Sequence, residues 1–423
     1  MLTAIKLSDL IISFSKALDF VSPKVANHHL RVAIIASAVA REMGMSHRKV
    51  QDIFMAATIH DIGIFSAKEK ADTFEFEIAN PYVHAERGYL LLKSFASFGD
   101  VSKIVRYHHT PSENIGHLMS ADDTFASANI LHMSDRIEVL IDKDSEILSQ
   151  REDIISKIKS RSGSVFMPEI VDAFMSASER ESFWFDAASP EVDQIVFDRK
   201  ALPETAVDID GLLGIARLFS NIIDYRSPFT AVHSAGVSEV ASLLAQMAGF
   251  SDTECKMMRI AGYLHDIGKL AIPQEILEKP GKLSELEYNI IKSHIYHSYR
   301  ILEGIKGLET INKWASFHHE KCDGSGYPFH LKGNELLLGS RIMAVADVFT
   351  AITEDRPYRK GMSGQDALKI IIGLAKNGVL DHSIVDIAAT YFNHINGVRM
   401  KVQEEAGEEY KSLLIANPEV PAE

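Results

Sequence analysis

Residues 60–63 read His60-Asp61-Ile62-Gly63, and residues 265–268 read His265-Asp266-Ile267-Gly268. The offset of 205 positions also carries His28 onto His233 and the segment Leu18-Asp19-Phe20-Val21-Ser22-Pro23 onto Ile223-Asp224-Tyr225-Arg226-Ser227-Pro228. Further along the offset grows to 210, pairing His84 with His294 and His108-His109 with His318-His319; at 212, Asp135 meets Asp347. Fixed landmarks with small length changes between them are what loop insertions leave in a duplicated domain, so the chain reads as one fold written twice.

The local patterns are helical. Leu212, Leu213, Ile215, Leu218, Phe219, Ile222 and Ile223 recur at three-to-four spacing, which gives one apolar helix face. Ser251-Asp252-Thr253-Glu254 and Ser284-Glu285-Leu286-Glu287 each place Ser three residues before Glu, the signature of a capped helix start. The first residues predict an amphipathic helix and not a signal peptide. The stretch from Asp186 to Asp208 carries Ser189-Pro190, Pro203 and alternating charges without an apolar period. A join falls there. We expect an all-α protein of two tandem helical bundles, residues 1–195 and 205–423.

Composition narrows the function. Of 423 residues, 46 % are hydrophobic and 24 % charged, as in ordinary globular proteins, and no apolar run reaches the length of a membrane span. Two cysteines, Cys255 and Cys322, do not make a disulfide framework, so a reducing cytoplasm is expected. A net charge of −14 excludes a binder of duplex nucleic acid, which needs a basic face. A small anion can still be held where cations gather.

His233, His265, Asp266, His294, His318, His319 and Asp347 supply that place. A lone buried His is more often hydrogen-bonded core than ligand, and the weight rests on the set. Neutral imidazoles with two carboxylates suit a pair of borderline divalent metals: Fe or Mn first, with Ni and Zn compatible. Helices crossing in a bundle can aim such side chains at one point. Asp266 can bridge two ions, and a close ion pair can hold a hydroxide and clamp both oxygens of an in-line phosphoryl displacement.

Around these ligands the sequence resembles the HD-GYP family over about residues 205–400. The resemblance is carried by His265-Asp266-Ile267-Gly268-Lys269 with Ile272-Pro273, by the run from His318-His319-Glu320 to Gly326-Tyr327-Pro328, and by Asp347-Val348-Phe349-Thr350-Ala351 with Asp355-Arg356-Pro357-Tyr358-Arg359. It implies a metal-dependent phosphodiesterase that opens cyclic di-GMP, or in some members cyclic GMP-AMP. It further implies one ion on His233, His265, Asp266 and Asp347, and another on Asp266, His294, His318 and His319. Lys269 matches the family's catalytic lysine, Arg356 and Arg359 would grip the second phosphate, and Tyr327 would line the cleft. The Gly-Tyr-Pro loop is a docking surface proposed in the family for GGDEF domains; a homodimer is also compatible. Rival readings are a metal-containing receptor without turnover and a mononucleotide phosphohydrolase.

Two positions depart from the family. Phe229 stands where three-metal members carry Glu, which favours two ions, and Ile295 replaces a Pro after His294, leaving His297 as a competing ligand. The first copy has counterparts of all seven ligands in His28, His60, Asp61, His84, His108, His109 and Asp135, with His29 competing with His28. Its lysine position is Ile64, no Gly-Tyr-Pro loop follows His108-His109-Thr110-Pro111, and an acidic stretch from Glu138 to Asp144 stands in place of the arginines. It reads as a plain HD domain able to hold metal, regulatory or structural in role.

Overall fold

The computed structural model describes residues 5–19, 27–73, 75–76, 80–95, 98–115, 123–198, 205–225, 232–279, 281–355 and 360–415. The chain forms two compact units, a first of Phe14–Thr205 with Ile415–Glu423 and a second of Met1–Ser13 with Ala206–Leu414. Among the described residues the only paired strands are Ile5–Lys6 and Ala206–Val207, which run antiparallel; nearly everything else is helix. The first helix, Leu7–Asp19, buries Leu10, Ile11, Phe14 and Ala17 completely.

Helix starts follow the side-chain chemistry. Asp252–Leu264 and Glu285–Glu303 both open on full capping boxes, Ser251 with Glu254 and Ser284 with Glu287, each side chain satisfying an otherwise orphaned backbone N–H. In Ile209–Tyr225 the residues Leu212, Ile215, Leu218, Phe219 and Ile222 are buried, as the periodicity requires.

The helices that carry the candidate ligands take the same order in both units. In the second they are His233–Met247, Asp252–Leu264, Glu285–Glu303, Glu309–Ser316 and Leu338–Thr353; in the first, His28–Glu42, His47–Ile59, Tyr82–Leu92, Gly99–Tyr107 and Asp123–Leu140. The glycine of each His-Asp-Ile-Gly motif is demanded by packing. A Cβ on Gly268 would lie 2.0 Å from the His294 carbonyl oxygen, and one on Gly63 2.1 Å from that of His84. Only a residue without a side chain lets this turn press against the helix that supplies the next histidine.

Candidate metal centre

In the second unit the chain brings all seven sequence-predicted ligands into overlapping clusters: His233 with His265 and Asp347, His265 with Asp266 and His318, and His294 with His318 and His319. Each set offers ligand atoms within 4.8 Å of one another. His297 belongs to none of them.

Backbone carbonyls fix the rings. His265 Nδ1 lies 2.7 Å from the Gly262 oxygen, His294 Nδ1 2.5 Å from Ile291 and His318 Nδ1 2.6 Å from Ala315. Only a hydrogen can join a ring nitrogen to a carbonyl, so Nδ1 donates, and in the neutral ring Nε2 keeps its lone pair. The buried Nε2 atoms of His265 and His294 have no hydrogen-bond partner. Yet they face Asp266 oxygens at 3.0 and 3.3 Å. Lone pairs pointed at a carboxylate repel unless a cation lies between them. The donor set therefore fits divalent metal, and the carbonyls are the outer partners that hold metal-binding histidines in place.

Charge agrees with that arrangement. Burial and neighbouring imidazoles hold His318 well below the ordinary histidine value, and burial takes His319 to about 4, so both stay neutral and able to ligate. Burial works against charge on His233 too, but Glu354 and Asp347 override it and raise this ring to about 10, so an ion binding at Nε2 must displace a proton. Its Nδ1 is 3.0 Å from both Glu354 oxygens, and its Nε2 3.2 Å from Asp347 Oδ1. Glu354 was not a sequence candidate. It precedes Asp355-Arg356 in what reads as an exposed arm, and nothing local says that it is buried and turned inward.

Lys269 Nζ contacts Asp266 Oδ2 at 2.5 Å, and the half-buried Tyr327 ring is 5.0 Å from His319. Glu320 accepts from the Phe329 and Leu331 amides at 2.7 and 3.0 Å, which pins the Gly-Tyr-Pro loop beside the centre. Gly324 in that loop has φ +82°, a conformation that favours glycine. Phe229, Arg356 and Arg359 lie outside the described residues.

The first unit builds a parallel cluster. His28, His60 and Asp61 form one group and His84, His108 and His109 another, with Asp135 Oδ1 3.4 Å from His28 Nε2. His60 Nδ1 and His108 Nδ1 meet the Ala57 and Val105 carbonyls, and His60 Nε2 is buried without a hydrogen bond. His84 Nε2 is 3.1 Å from His109 Nε2 and 3.4 Å from His108 Nε2.

Two residues missed in the sequence, together with His29, complete it. Lys70, buried on the short helix Ala67–Asp72, contacts Asp61 Oδ2 at 2.7 Å, where Lys269 contacts Asp266 in the other copy. Glu138 receives His28 Nδ1 at 2.5 Å and so does for His28 what Glu354 does for His233. His29 is fully buried with Nδ1 2.5 Å from Asp19, while the aligned pair in the second copy is Ser234 with Asp224. The competition between His28 and His29 resolves with both rings inside. Alignment by position could not find Lys70 or Glu138, because a long side chain reaches a shared carboxylate from a different turn.

A fold of tandem helical bundles, each enclosing histidines around a central His-Asp pair, defines an HD-domain metal-dependent phosphohydrolase. HD-domain models match residues 25–140 and 217–384. The chain is 32 % identical to the 3'3'-cGAMP-specific phosphodiesterase 1 of Vibrio cholerae over 88 % of this chain and 89 % of that protein. It is 42 % identical to the cyclic di-GMP phosphodiesterase response regulator RpfG of Xanthomonas campestris over 34 % of this chain and 39 % of that one. A crystal structure of a cyclic GMP-AMP-specific phosphodiesterase of V. cholerae (V-cGAP3) shares the fold, with TM-score 0.63 and 22 % identity over 92 % of this chain and 98 % of the other. The chain belongs to the HD-GYP family of cyclic-dinucleotide phosphodiesterases.

Proposed function

We propose that the second copy hydrolyses a phosphodiester bond of 3'3'-cGAMP and of cyclic di-GMP, giving the linear dinucleotide. The observation that carries this reading is the pair of buried, unsatisfied imidazole nitrogens of His265 and His294 facing the oxygens of Asp266. His233, His265, Asp266 and Asp347 would hold one divalent ion and Asp266, His294, His318 and His319 a second, iron or manganese. Bound ions supply a water that loses its proton near neutral pH and neutralise charge growing on phosphoryl oxygens.

The chain's own residues do the rest. Asp266 presents one oxygen to each half of the centre and so fixes their separation. The Lys269 ammonium, one turn beyond, offers donors to a nonbridging phosphate oxygen. Tyr327 gives the substrate an aromatic wall beside His319, and Arg356 with Arg359 grip the second phosphate through paired donors. The Gly-Tyr-Pro loop, outside the metal cluster, is the surface on which a GGDEF domain or a second copy would dock. The division near residues 195–205 separates this catalytic copy from a first copy that loads metal in a regulatory role. No described helix is long and apolar enough to cross a membrane, and we place the protein in the cytoplasm.

Purified full-length protein with Mn(II) or Fe(II), given 3'3'-cGAMP, cyclic di-GMP and mononucleotides in parallel, tests this. Linear dinucleotide from the cyclic substrates supports the reading. Binding without product in either metal would make the protein a receptor, and product from mononucleotides alone would make it a nucleotidase.

A further inference from the structure

The first unit holds a cavity of about 380 Å³ that the centre described above does not use. His109 is the link, since it belongs both to the histidine cluster and to the cavity wall. Beside it stands His132, only 8 % exposed, with a buried Nδ1 that has no hydrogen-bond partner. Two arginines, Arg136 and Arg161, also line the space, and among the described residues no carboxylate does. In a chain of net charge −14 a wall of this composition favours an anion over a cation.

Arg136 is anchored by Asp135 at 2.6 Å and by the Thr73 carbonyl at 2.9 Å, so its guanidinium is held in place. The segment carrying Arg161 and Phe166 is also fixed. Asn129 donates to the Val165 oxygen and accepts from the Met167 amide, both at 2.9 Å, and the Ser112 amide donates to Val165 at 3.0 Å. Phe76 and Tyr82 add two aromatic residues to the lining. Its volume lies near the small end of the roughly 300–1,000 Å³ seen for ligand pockets, which suits one nucleotide and not a cyclic pair. At the offset that pairs Asp135 with Asp347, His132 and Arg136 correspond to Ala344 and Val348, so the wall belongs to the first copy alone.

We propose that this cavity binds a nucleoside monophosphate, its phosphate toward His132, Arg161 and the histidine cluster and its base against Phe76 and Tyr82. The first copy is then a receptor site for a ligand about half the size of the enzyme's substrate. The site does not depend on which reaction the second copy performs.

Calorimetric titration of the metal-loaded full chain with GMP and AMP tests it, with ribose 5-phosphate and guanosine as the two halves of the ligand. GMP or AMP should bind once per chain in the first unit, and each half should bind more weakly. Arg161→Glu, at a half-exposed position, should weaken that binding by about tenfold or more while leaving cyclic-dinucleotide hydrolysis unchanged. His132→Phe should do the same, checked for folding by circular dichroism. Asp266→Ala, which disables only the second centre, should keep the binding, so loss of the proposed catalysis and loss of this site are distinguishable. Absence of nucleotide binding overturns the proposal. So does binding that survives both first-copy substitutions or disappears with Asp266→Ala.

Discussion

His233 and His28 head the same helix in the two copies, and each ring is oriented by a buried glutamate. Glu354 follows the last turn of Leu338–Thr353, seven residues after Asp347, whereas Glu138 sits within Asp123–Leu140, three residues after Asp135. The cation on the central aspartate differs likewise, Lys269 in the turn after the His-Asp pair and Lys70 on the next short helix. Role is kept in space while position in the sequence drifts. The copies diverge where substrate would lie: the second has its Gly-Tyr-Pro loop pinned by Glu320, and the first has the arginine- and histidine-walled cavity.

That contrast can be broken by paired substitutions. Asp266→Ala should remove cyclic-dinucleotide hydrolysis by about a thousandfold or more and empty the second centre together, because the proposed centre shares that residue between both ions. Asp61→Ala should leave the rate within about twofold. A rate assay with metal analysis on both variants decides this; equal losses would make the copies one catalytic unit.

Lys70→Met strips a buried carboxylate of its partner and should cost about 3–5 kcal/mol of stability in chelator-treated protein. Thermal melts should find a smaller loss once metal is restored, since a bound cation also compensates Asp61. An equal loss in both states would mean that Asp61 meets no metal. Lys269→Ala should keep full metal content and slow turnover by about a hundredfold. Metal loss in that variant would make the lysine structural. Glu354→Gln should weaken metal binding in the second copy, and Glu138→Gln in the first, each by about 10–100-fold and without crossing over. Competition with a chromophoric chelator reads this.

Much of this is legible in the sequence alone. The duplicated His-Asp-Ile-Gly motif fixed the repeat, and its glycine is explained by contact with the carbonyl of the next histidine helix. Ser251 and Ser284 marked helix starts because capping is local chemistry. The candidate imidazole ligands were readable because they recur in both copies at nearly constant offsets. Lys70, Glu138, Glu354 and His132 were not, since their roles depend on where a distant helix carries them. Ile64 in the lysine position suggested a first copy without its cation, yet Lys70 supplies one from six residues further on.

The most direct test is a metal count on anaerobically purified full-length protein, with Asp266→Ala and Asp61→Ala alongside. Two ions in each copy predict about four per chain, falling to about two in either variant. A wild-type chain that carries no tightly bound divalent metal, or an Asp266→Ala chain that keeps all of it, would contradict a paired-ion centre built on that aspartate.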